Sequence, residues 1–270
     1  MKLAFLGGGN MATALIGGLV AKGFDAQAIS VIELSPAARE RLVARYPVHI
    51  ATAPDAAVQG SDTLVLAVKP QDMRAALASL AGGVRGKLVV SIAAGVKLEA
   101  LSRWLGGHRK LVRCMPNTPA LIGAGIAGLH ALPEVSAEER NRAEAILGAV
   151  GEVVWLDEER LLDPVTAVSG SGPAYVFWFI EQLAASGERL GIPKATALKL
   201  ALNTVLGAAK LAVSSEKSPS ELKKEVTSRG GTTEAALNVF DEEKLAARFA
   251  RALEAASRRS AELGAELGKD

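Results

Sequence analysis

Two glycine-rich stretches of the chain have the composition of loops that hold anions. One, FLGGGNMATALIGGL, occupies residues 5–19, and the other, TSRGGTTEAAL, occupies residues 227–237. In each stretch an apolar pattern with helical spacing follows the glycines, so that free backbone N–H groups at a helix start can bind an anion. The chemistry to expect first is therefore the binding of phosphate or carboxylate groups at two separate places.

The first of these loops has the spacing of a dinucleotide-binding fingerprint. Gly7-x-Gly9-x-x-Ala12 follows a short apolar run and opens a helical pattern. The first glycine permits a tight turn, the second lets the backbone approach a pyrophosphate, and the small third residue lets the helix pack on the sheet. The motif predicts a dinucleotide site, with a plain tight turn between strand and helix as the alternative.

The residues after the second predicted strand bear on the choice of nicotinamide cofactor. Glu33 ends that strand, and an acid there usually binds the adenosine ribose hydroxyls and repels a 2′-phosphate. Ser35 and Arg39 could instead contact a phosphate, although a solvated helix charge is the simpler interpretation of Arg39. We therefore expect NAD(P)H, with Glu33 favouring NADH and NADPH left open.

Three later strands end in motifs that could border a ligand, because ligands of such sheets bind at the carboxyl ends of the strands. In AVKP, Lys69 could lie along the ribose or diphosphate, or it could be a surface lysine. In SIAAG, the small residues Ala93, Ala94 and Gly95 leave room for a flat ring. In MPNTP, two prolines display Asn117, although such a sequence can be only a turn.

The elements that position these motifs are strands that alternate with helices. Short apolar runs alternate with helical patterns from residue 2 to residue 156, which predicts a parallel sheet covered on both faces. After about Leu162 the strand signals stop. The predicted fold is an α/β Rossmann-type nucleotide-binding domain over residues 1–162, followed by an all-α dimerisation and substrate-binding domain over residues 163–270. Its expected helices are Pro173–Leu190, Lys194–Ser214, Pro219–Val226, Thr232–Phe240 and Glu243–Leu267.

Composition excludes several classes of function. With 31 basic and 29 acidic residues among 270, we expect no nucleic-acid partner, which would require a clustered basic footprint. The three histidines have no metal-ligand spacing, so no metal is expected. The apolar run Ala174–Ile180 is much shorter than the roughly 20 residues of a membrane span, so we expect no membrane partner. A single cysteine and the lack of a signal-peptide pattern predict a cytoplasmic protein.

Taken together, the motifs resemble those of the pyrroline-5-carboxylate reductase family. FLGGGNMA, AVKP, SIAAG, MPNTP, SGSGPAYVF and TSRGGTTEAAL occur in this order along essentially the whole chain. The resemblance implies reduction of the cyclic imine 1-pyrroline-5-carboxylate to L-proline with NAD(P)H, the last step of proline biosynthesis. It also implies a Rossmann domain, a helical dimerisation domain, and a homodimer or a larger ring such as a decamer. Helices that are apolar nearly all round independently favour an obligate oligomer.

The resemblance also assigns candidate site residues. Thr233 is the expected catalytic residue, hydrogen-bonding the ring nitrogen as donor or proton relay, with simple helix N-capping as the alternative role of Thr232 and Thr233. For Ser169 and Gly170, close approach to a reactant and a flexible joint between domains are both open. The substrate would be bound by Ser228, Gly230, Gly231, Thr232, Thr233, Ser169 and Gly170. The cofactor would be bound by Leu6, Gly7, Gly8, Gly9, Asn10, Met11, Ala12, Glu33, Leu34, Ser35, Ala67, Val68, Lys69, Pro70, Ala93, Ala94, Gly95 and Asn117.

Three departures and two rival functions remain at this stage. The turn Glu33-Leu34-Ser35 differs from that of many NADPH-using members, Val48–Ala53 reads VHIATA where many members have an asparagine, and Arg229 stands where many members have proline. A hydroxyacid dehydrogenase would need a lysine base in the helical half, where Lys194, Lys199 and Lys210 have unremarkable contexts. A nucleotide-sensing protein without turnover is the rival from a different class.

Overall fold

The computed structural model describes residues 1–80 and 83–269. In this part of the chain, eight strands form one sheet in the order β3-β2-β1-β4-β5-β6-β7-β8. Strands β1 to β6 pair in parallel, β7 runs antiparallel to β6, and β8 runs parallel to β7. The strands are β1 Leu3–Leu6, β2 Ile29–Ile32, β3 His49–Ala51, β4 Thr63–Leu66, β5 Leu88–Ser91, β6 Leu111–Met115, β7 Gly125–Ala131 and β8 Gly151–Trp155.

Helices cover this sheet on both faces because consecutive strand residues point to opposite sides. On β1, Leu3 and Phe5 pack with the first and sixth helices, whereas Ala4 and Leu6 pack with the fourth and fifth. The covering on both faces is the predicted Rossmann-type arrangement, and the fold class is confirmed. The helices are α1 Asn10–Ala21, α2 Pro36–Val43, α3 Ala56–Gln59, α4 Met73–Ala78, α5 Leu98–Trp104, α6 Ala137–Leu147 and α7 Leu162–Val165.

The contacts within the chain divide it into two compact units. The first consists of Met1–Ser171 together with the chain from Ala255 onward, and the second consists of Gly172–Glu254. In the first unit, α7 and the π-helical turn Thr166–Gly170 that follows it lie beyond the predicted domain boundary at residue 162. The division of the chain into a nucleotide-binding domain and a dimerisation domain at residue 162 stays a prediction.

The second unit is helical in its described residues. Large apolar side chains on its first two helices are exposed in the single chain, including Phe177 at 66% and Trp178 at 58%. Exposed apolar surface of this kind marks an interaction site. Among the described residues, the helix Lys194–Ser214 is long and apolar enough to cross a membrane, judged by length and composition alone. The helices are α8 Gly172–Arg189, α9 Lys194–Ser214, α10 Pro219–Glu225, α11 Thr232–Glu242 and α12 Leu245–Leu267, of which α12 ends in the first unit.

The final turns of α12 pack closely on the first unit. The Ser260 hydroxyl donates a 2.7 Å hydrogen bond to the Asp163 carboxylate, and both residues are buried. A Cβ atom placed on Gly264 would lie 2.7 Å from the carbonyl oxygen of Gly95. The chain therefore needs glycine at position 264 for the helix to reach the loop that follows β5.

Candidate active site

The glycine loop after β1 adopts a conformation that only glycine accepts easily. Gly7 has φ +99°, and a Cβ atom there would lie 2.8 Å from the carbonyl oxygen of Ala67. At Gly9, by contrast, a Cβ atom would meet no atom within 4 Å. The loop is thus pressed against the end of β4 at Gly7 and open to a ligand at Gly9.

The start of α1 presents unused hydrogen-bond donors. Gly9 is the N-cap in an extended conformation and provides no side-chain cap. The first backbone bond of this helix runs from the Thr13 N–H to the Gly9 oxygen at 2.9 Å. Within the described residues, no protein group accepts from the N–H groups of Asn10, Met11 and Ala12. Free donors at the positive end of a helix dipole fit a pyrophosphate.

Glu33 binds the glycine loop instead of projecting freely from the end of β2. Its carboxylate accepts hydrogen bonds from the N–H of Gly8 and the N–H of Ser35, each at 2.7 Å. The Arg39 guanidinium donates to the carbonyl oxygens of Glu33 and Leu34 at 3.1 and 2.8 Å. The turn after β2 is therefore fixed by side chains from both of its flanks, with a carboxylate held beside the glycine loop.

A cavity of about 870 Å³ lies beside this turn, at the carboxyl end of β3. Its wall includes Arg39 from α2 and Thr52, Ala53 and Asp55 from the segment after β3. His49 bonds to Asp55 at 2.6 Å and holds the pKa of that carboxyl below its usual range. The sequence did not point to this cavity, because its lining comes from segments without a recognisable motif.

The motifs after β4 and β5 lie at the same edge of the sheet as the glycine loop. Leu6 pairs with Leu66, and Leu66 pairs with Ser91, so that three neighbouring strands end level with one another. Beyond these ends lie AVKP, with Lys69 exposed, and SIAAG, with Gly95 buried at φ +79°. Parallel pairing thus brings three of the sequence motifs together.

Asn117 is a candidate whose side chain is buried and has a protein hydrogen-bond partner at each end of its amide. It is 9% exposed. Its Nδ2 donates to the carbonyl oxygen of Ser169 at 3.2 Å, and its Oδ1 accepts from the N–H of Ile126 at 3.0 Å. The structure therefore joins MPNTP to the SGSG motif, a link of 52 residues that the sequence did not indicate. Whether Asn117 also borders the cofactor stays a prediction.

A second open helix start occurs at α11. Gly231 is its N-cap in an extended conformation without a side-chain cap, and Gly230 has φ +72°. Within the described residues, the N–H groups of Thr232, Thr233 and Glu234 have no protein acceptor. The threonine hydroxyls are not helix caps here, because the N-cap position belongs to Gly231. This arrangement fits a carboxylate.

Glu234 completes the α11 loop in a way the sequence did not indicate. Its carboxylate accepts a 2.6 Å hydrogen bond from the N–H of Gly230. The N–H of Gly231 donates to the carbonyl oxygen of Ser228 at 3.0 Å, and a Cβ atom on Gly231 would lie 2.5 Å from the Ser228 hydroxyl oxygen. The predicted substrate residues of this loop therefore lie together, held by local bonds.

Two buried side chains of β6, Arg113 and Cys114, have surroundings typical of structural rather than catalytic residues. The Arg113 guanidinium bonds to the Glu159 carboxylate at 3.0 Å, and the same oxygen accepts from the N–H of Leu98 at the start of α5. Burial raises the pKa of the Cys114 thiol well above its usual value, so that little thiolate is present at neutral pH. Among the described residues, no group of three or more His, Cys, Asp and Glu side chains could hold a metal ion.

Both parts of the chain match profiles of known protein families. A family profile described as pyrroline-5-carboxylate reductase dimerisation matches residues 159–263. A profile described as NADP oxidoreductase, coenzyme F420-dependent, matches residues 2–95. The first covers the helical part and the second covers the glycine loop and the first five strands.

Relatives that match nearly the whole length of the chain are named pyrroline-5-carboxylate reductase. Pyrroline-5-carboxylate reductase of Pseudomonas aeruginosa is 46% identical over 99% of this chain and 98% of that protein. The enzyme of the same name from Synechocystis is 44% identical over 98% of both chains. Among solved structures, pyrroline-5-carboxylate reductase from Coxiella burnetii superposes with a TM-score of 0.92 at 40% identity, covering 97% of this chain and 98% of that one. Pyrroline carboxylate reductase from Plasmodium falciparum, solved with NADP bound, gives 0.85 at 27% identity, covering 98% of both chains. With its two open helix starts and these full-length relatives, the chain belongs to the pyrroline-5-carboxylate reductase family.

Proposed function

We propose that this protein reduces 1-pyrroline-5-carboxylate to L-proline, with NAD(P)H as the hydride donor, as the final step of proline biosynthesis. The observation that carries the proposal is the start of α11, where the N–H groups of Thr232, Thr233 and Glu234 are free beside a glycine N-cap. This is a carboxylate site in the part of the chain that matches the reductase dimerisation profile.

The first unit has the residues to hold the cofactor. The pyrophosphate would accept from the N–H groups of Asn10, Met11 and Ala12, with the open side of Gly9 giving it room. Leu6, Gly7 and Gly8 would form the floor of this site. When bound, the reduced nicotinamide supplies the hydride that adds to the carbon of the C=N bond. The motifs Ala67–Pro70 and Ala93–Gly95, at the same sheet edge, would orient the ring.

The α11 loop has the residues to hold the substrate. Its free N–H groups would bind the carboxylate, and the Thr233 hydroxyl would hydrogen-bond the ring nitrogen. A protonated imine is already a good electrophile, so the protein does not need a strong acid. The protein contributes orientation and the exclusion of water, which are the main requirements of such a transfer. Water would supply the proton of the imine nitrogen, and this proton stays on the product amine after hydride addition.

Glu33 supports a preference for NADH. Its carboxylate is fixed beside the glycine loop by two backbone N–H groups. A 2′-phosphate near this turn would face a fixed negative charge, and like charges at close range are unfavourable. Arg39 opposes this preference, because only its Nη1 bonds to carbonyl oxygens of the turn and its charge and other N–H groups stay available to a phosphate, so NADPH is left open.

We also propose a cytoplasmic homodimer or a larger ring such as a decamer, without nucleic-acid or membrane partners. The apolar side chains of α8 and α9 are exposed in the single chain and need a covering surface. The dimerisation profile spans both helices. A second copy of the chain would therefore cover α9, which explains its apolar composition without a membrane.

The direct test is a spectrophotometric assay with purified protein. Addition of 1-pyrroline-5-carboxylate should lower the absorbance of NADH, with the appearance of L-proline confirmed by chromatography. NADPH is assayed in parallel, and a panel of 2-hydroxy acids with NAD⁺ serves as the comparison. Cofactor binding without turnover of the imine, or turnover of a hydroxy acid alone, would contradict the proposed function.

A further inference from the structure

Asn117 sits where three segments of the first unit meet. Its backbone begins the 3₁₀ turn Thr118–Ile122 that follows β6, its Oδ1 faces the N–H of Ile126 at the start of β7, and its Nδ2 faces the Ser169 carbonyl. These two partners fix the orientation of the amide. A flipped amide would point NH₂ at an N–H group and oxygen at a carbonyl, losing both bonds. The side chain is also buried, so water offers little replacement.

Ser169 belongs to an unusual piece of backbone. Thr166–Gly170 is a π-helical turn, a conformation that is rare and concentrated at functional sites. The same turn lies close to the Met115 side chain, since a Cβ atom on Gly170 would lie 2.4 Å from Cε of Met115. Met115 and Asn117 flank one proline, so the segment at the end of β6 lies against this turn at two points.

We propose that Asn117 is a positioning residue, which acts on the reaction by holding the Ser169 carbonyl and thereby the backbone of Ser169 and Gly170. It does this without touching the cofactor. The inference rests on the proposed function and on the expectation, drawn from the sequence, that Ser169 and Gly170 approach a reactant. It differs from the expectation for Asn117 as a cofactor contact, because its amide is buried and each end has a partner within the protein.

Asn117→Asp is the most informative variant. The carboxylate can still accept from the Ile126 N–H, but it loses the donor to Ser169 and faces the carbonyl oxygen with like charge. A displaced turn should lower kcat/KM for the imine by about 10- to 100-fold, the scale expected from a small misplacement of reactive groups. The Kd for NADH, measured by fluorescence titration, should stay within about twofold, because no cofactor contact is lost.

Asn141→Asp is the matched control. Asn141 is exposed on α6, so this variant makes the same chemical change without a bonded partner. Its kcat/KM and its Kd for NADH should both equal those of the original enzyme. An equal loss in the two aspartate variants would assign the effect to charge and overturn the proposal.

Asn117→Ala provides a second arm that introduces no charge. It removes both the donor to Ser169 and the acceptor from Ile126, and it should give the same signature, a lower kcat/KM for the imine with an unchanged Kd for NADH. Unchanged kinetics in Asn117→Ala, or a Kd for NADH that rises in step with the kinetic loss in either variant, would overturn the proposal. Failure of the original enzyme to reduce the imine would instead count against the proposed function.

Discussion

The starts of α1 and α11 share features that the serine-capped helices of the protein lack. Each begins at an extended glycine without a side-chain cap, and in each a glutamate accepts from the N–H of an earlier glycine. By contrast, α2, α6 and α10 begin at serines whose hydroxyls accept from the first turn. Serine caps close a helix start, whereas glycine caps leave its donors free for a ligand.

The two open starts differ in how they are held. Glu33 reaches Gly8 from another strand, 25 residues away, and Gly7 is crowded by Ala67. Glu234 reaches Gly230 from its own helix, four residues away, and a Cβ atom on Gly230 would meet nothing within 4 Å. The α1 start is therefore fixed by tertiary packing, and the α11 start by local bonds. We expect substitutions at the first to cost more than those at the second.

The largest effect is expected from Gly7→Ala. The substitution combines a positive φ with a clash against the Ala67 carbonyl, so the loop must move away from β4. A strained non-glycine residue alone costs about 1–3 kcal/mol, and the clash adds to it. The Kd for NADH, followed by fluorescence titration, should rise by about 100-fold or more.

Gly23→Ala is the control that tests backbone strain at a positive φ without a steric clash. Gly23 has φ +87°, yet a Cβ atom there would meet nothing within 4 Å. This variant should lose about 1 kcal/mol of unfolding free energy and keep the original Kd for NADH. Similar Kd values for the two alanine variants would contradict the account of Gly7.

Thr233→Ala should have the next largest effect. Loss of the hydroxyl leaves the backbone donors of α11 in place, so the protein should fold and bind NADH as before. We expect kcat/KM for the imine to fall by about 10- to 100-fold, as for a lost proton-transfer or orienting group. Thr233→Ser, which keeps the hydroxyl, should recover most of the activity. Unchanged kinetics in the alanine variant would remove Thr233 from the mechanism.

Glu33→Gln should alter the choice of cofactor rather than the chemistry. Removal of the fixed charge beside the turn should raise the ratio of kcat/KM for NADPH to that for NADH by about tenfold, equivalent to about 1.4 kcal/mol. Glu138→Gln, on the exposed face of α6, is the control and should leave the ratio as it is. A ratio that does not respond to Glu33→Gln would contradict the role given to this carboxylate.

The smallest effect is expected at Glu234. Glu234→Ala removes one acceptor from the Gly230 N–H, worth about 1 kcal/mol, and should raise KM for the imine by about fivefold. Glu234→Gln should stay close to the original enzyme, because an amide oxygen can still accept. If Glu234→Ala raised KM as strongly as Gly7→Ala raises the Kd for NADH, the contrast between the two starts would be wrong.

Much of the fold followed from the sequence because its signals are local and repeated. Apolar runs gave strands, and glycines and prolines gave their ends, so most predicted elements match within one or two residues. The four-residue helices α3 and α7 were not predicted, since a single turn has no periodicity. The helical pattern over Gln71–Leu80 predicts a longer helix than the structure has, because Pro70 begins a 3₁₀ turn and α4 runs only from Met73 to Ala78.

The candidate site was predictable only where backbone geometry demands a residue type. The loops around Gly7 and Gly230 could be found because positive φ favours glycine. The bonds from Asn117 to Ser169 and from Glu33 to Gly8 could not, since side-chain hydrogen bonds between distant segments leave no periodic signal. The assignments of individual residues to cofactor and substrate stay predictions.

The return of α12 to the first unit has a consequence for how the protein is made. The first unit is discontinuous, because its last part begins only at Ala255. On a ribosome, the residues up to Ser171 emerge long before Ser260 and Gly264 are available to pack against Asp163 and Gly95. The first unit of a growing chain should therefore stay incomplete until these residues of α12 have been synthesised.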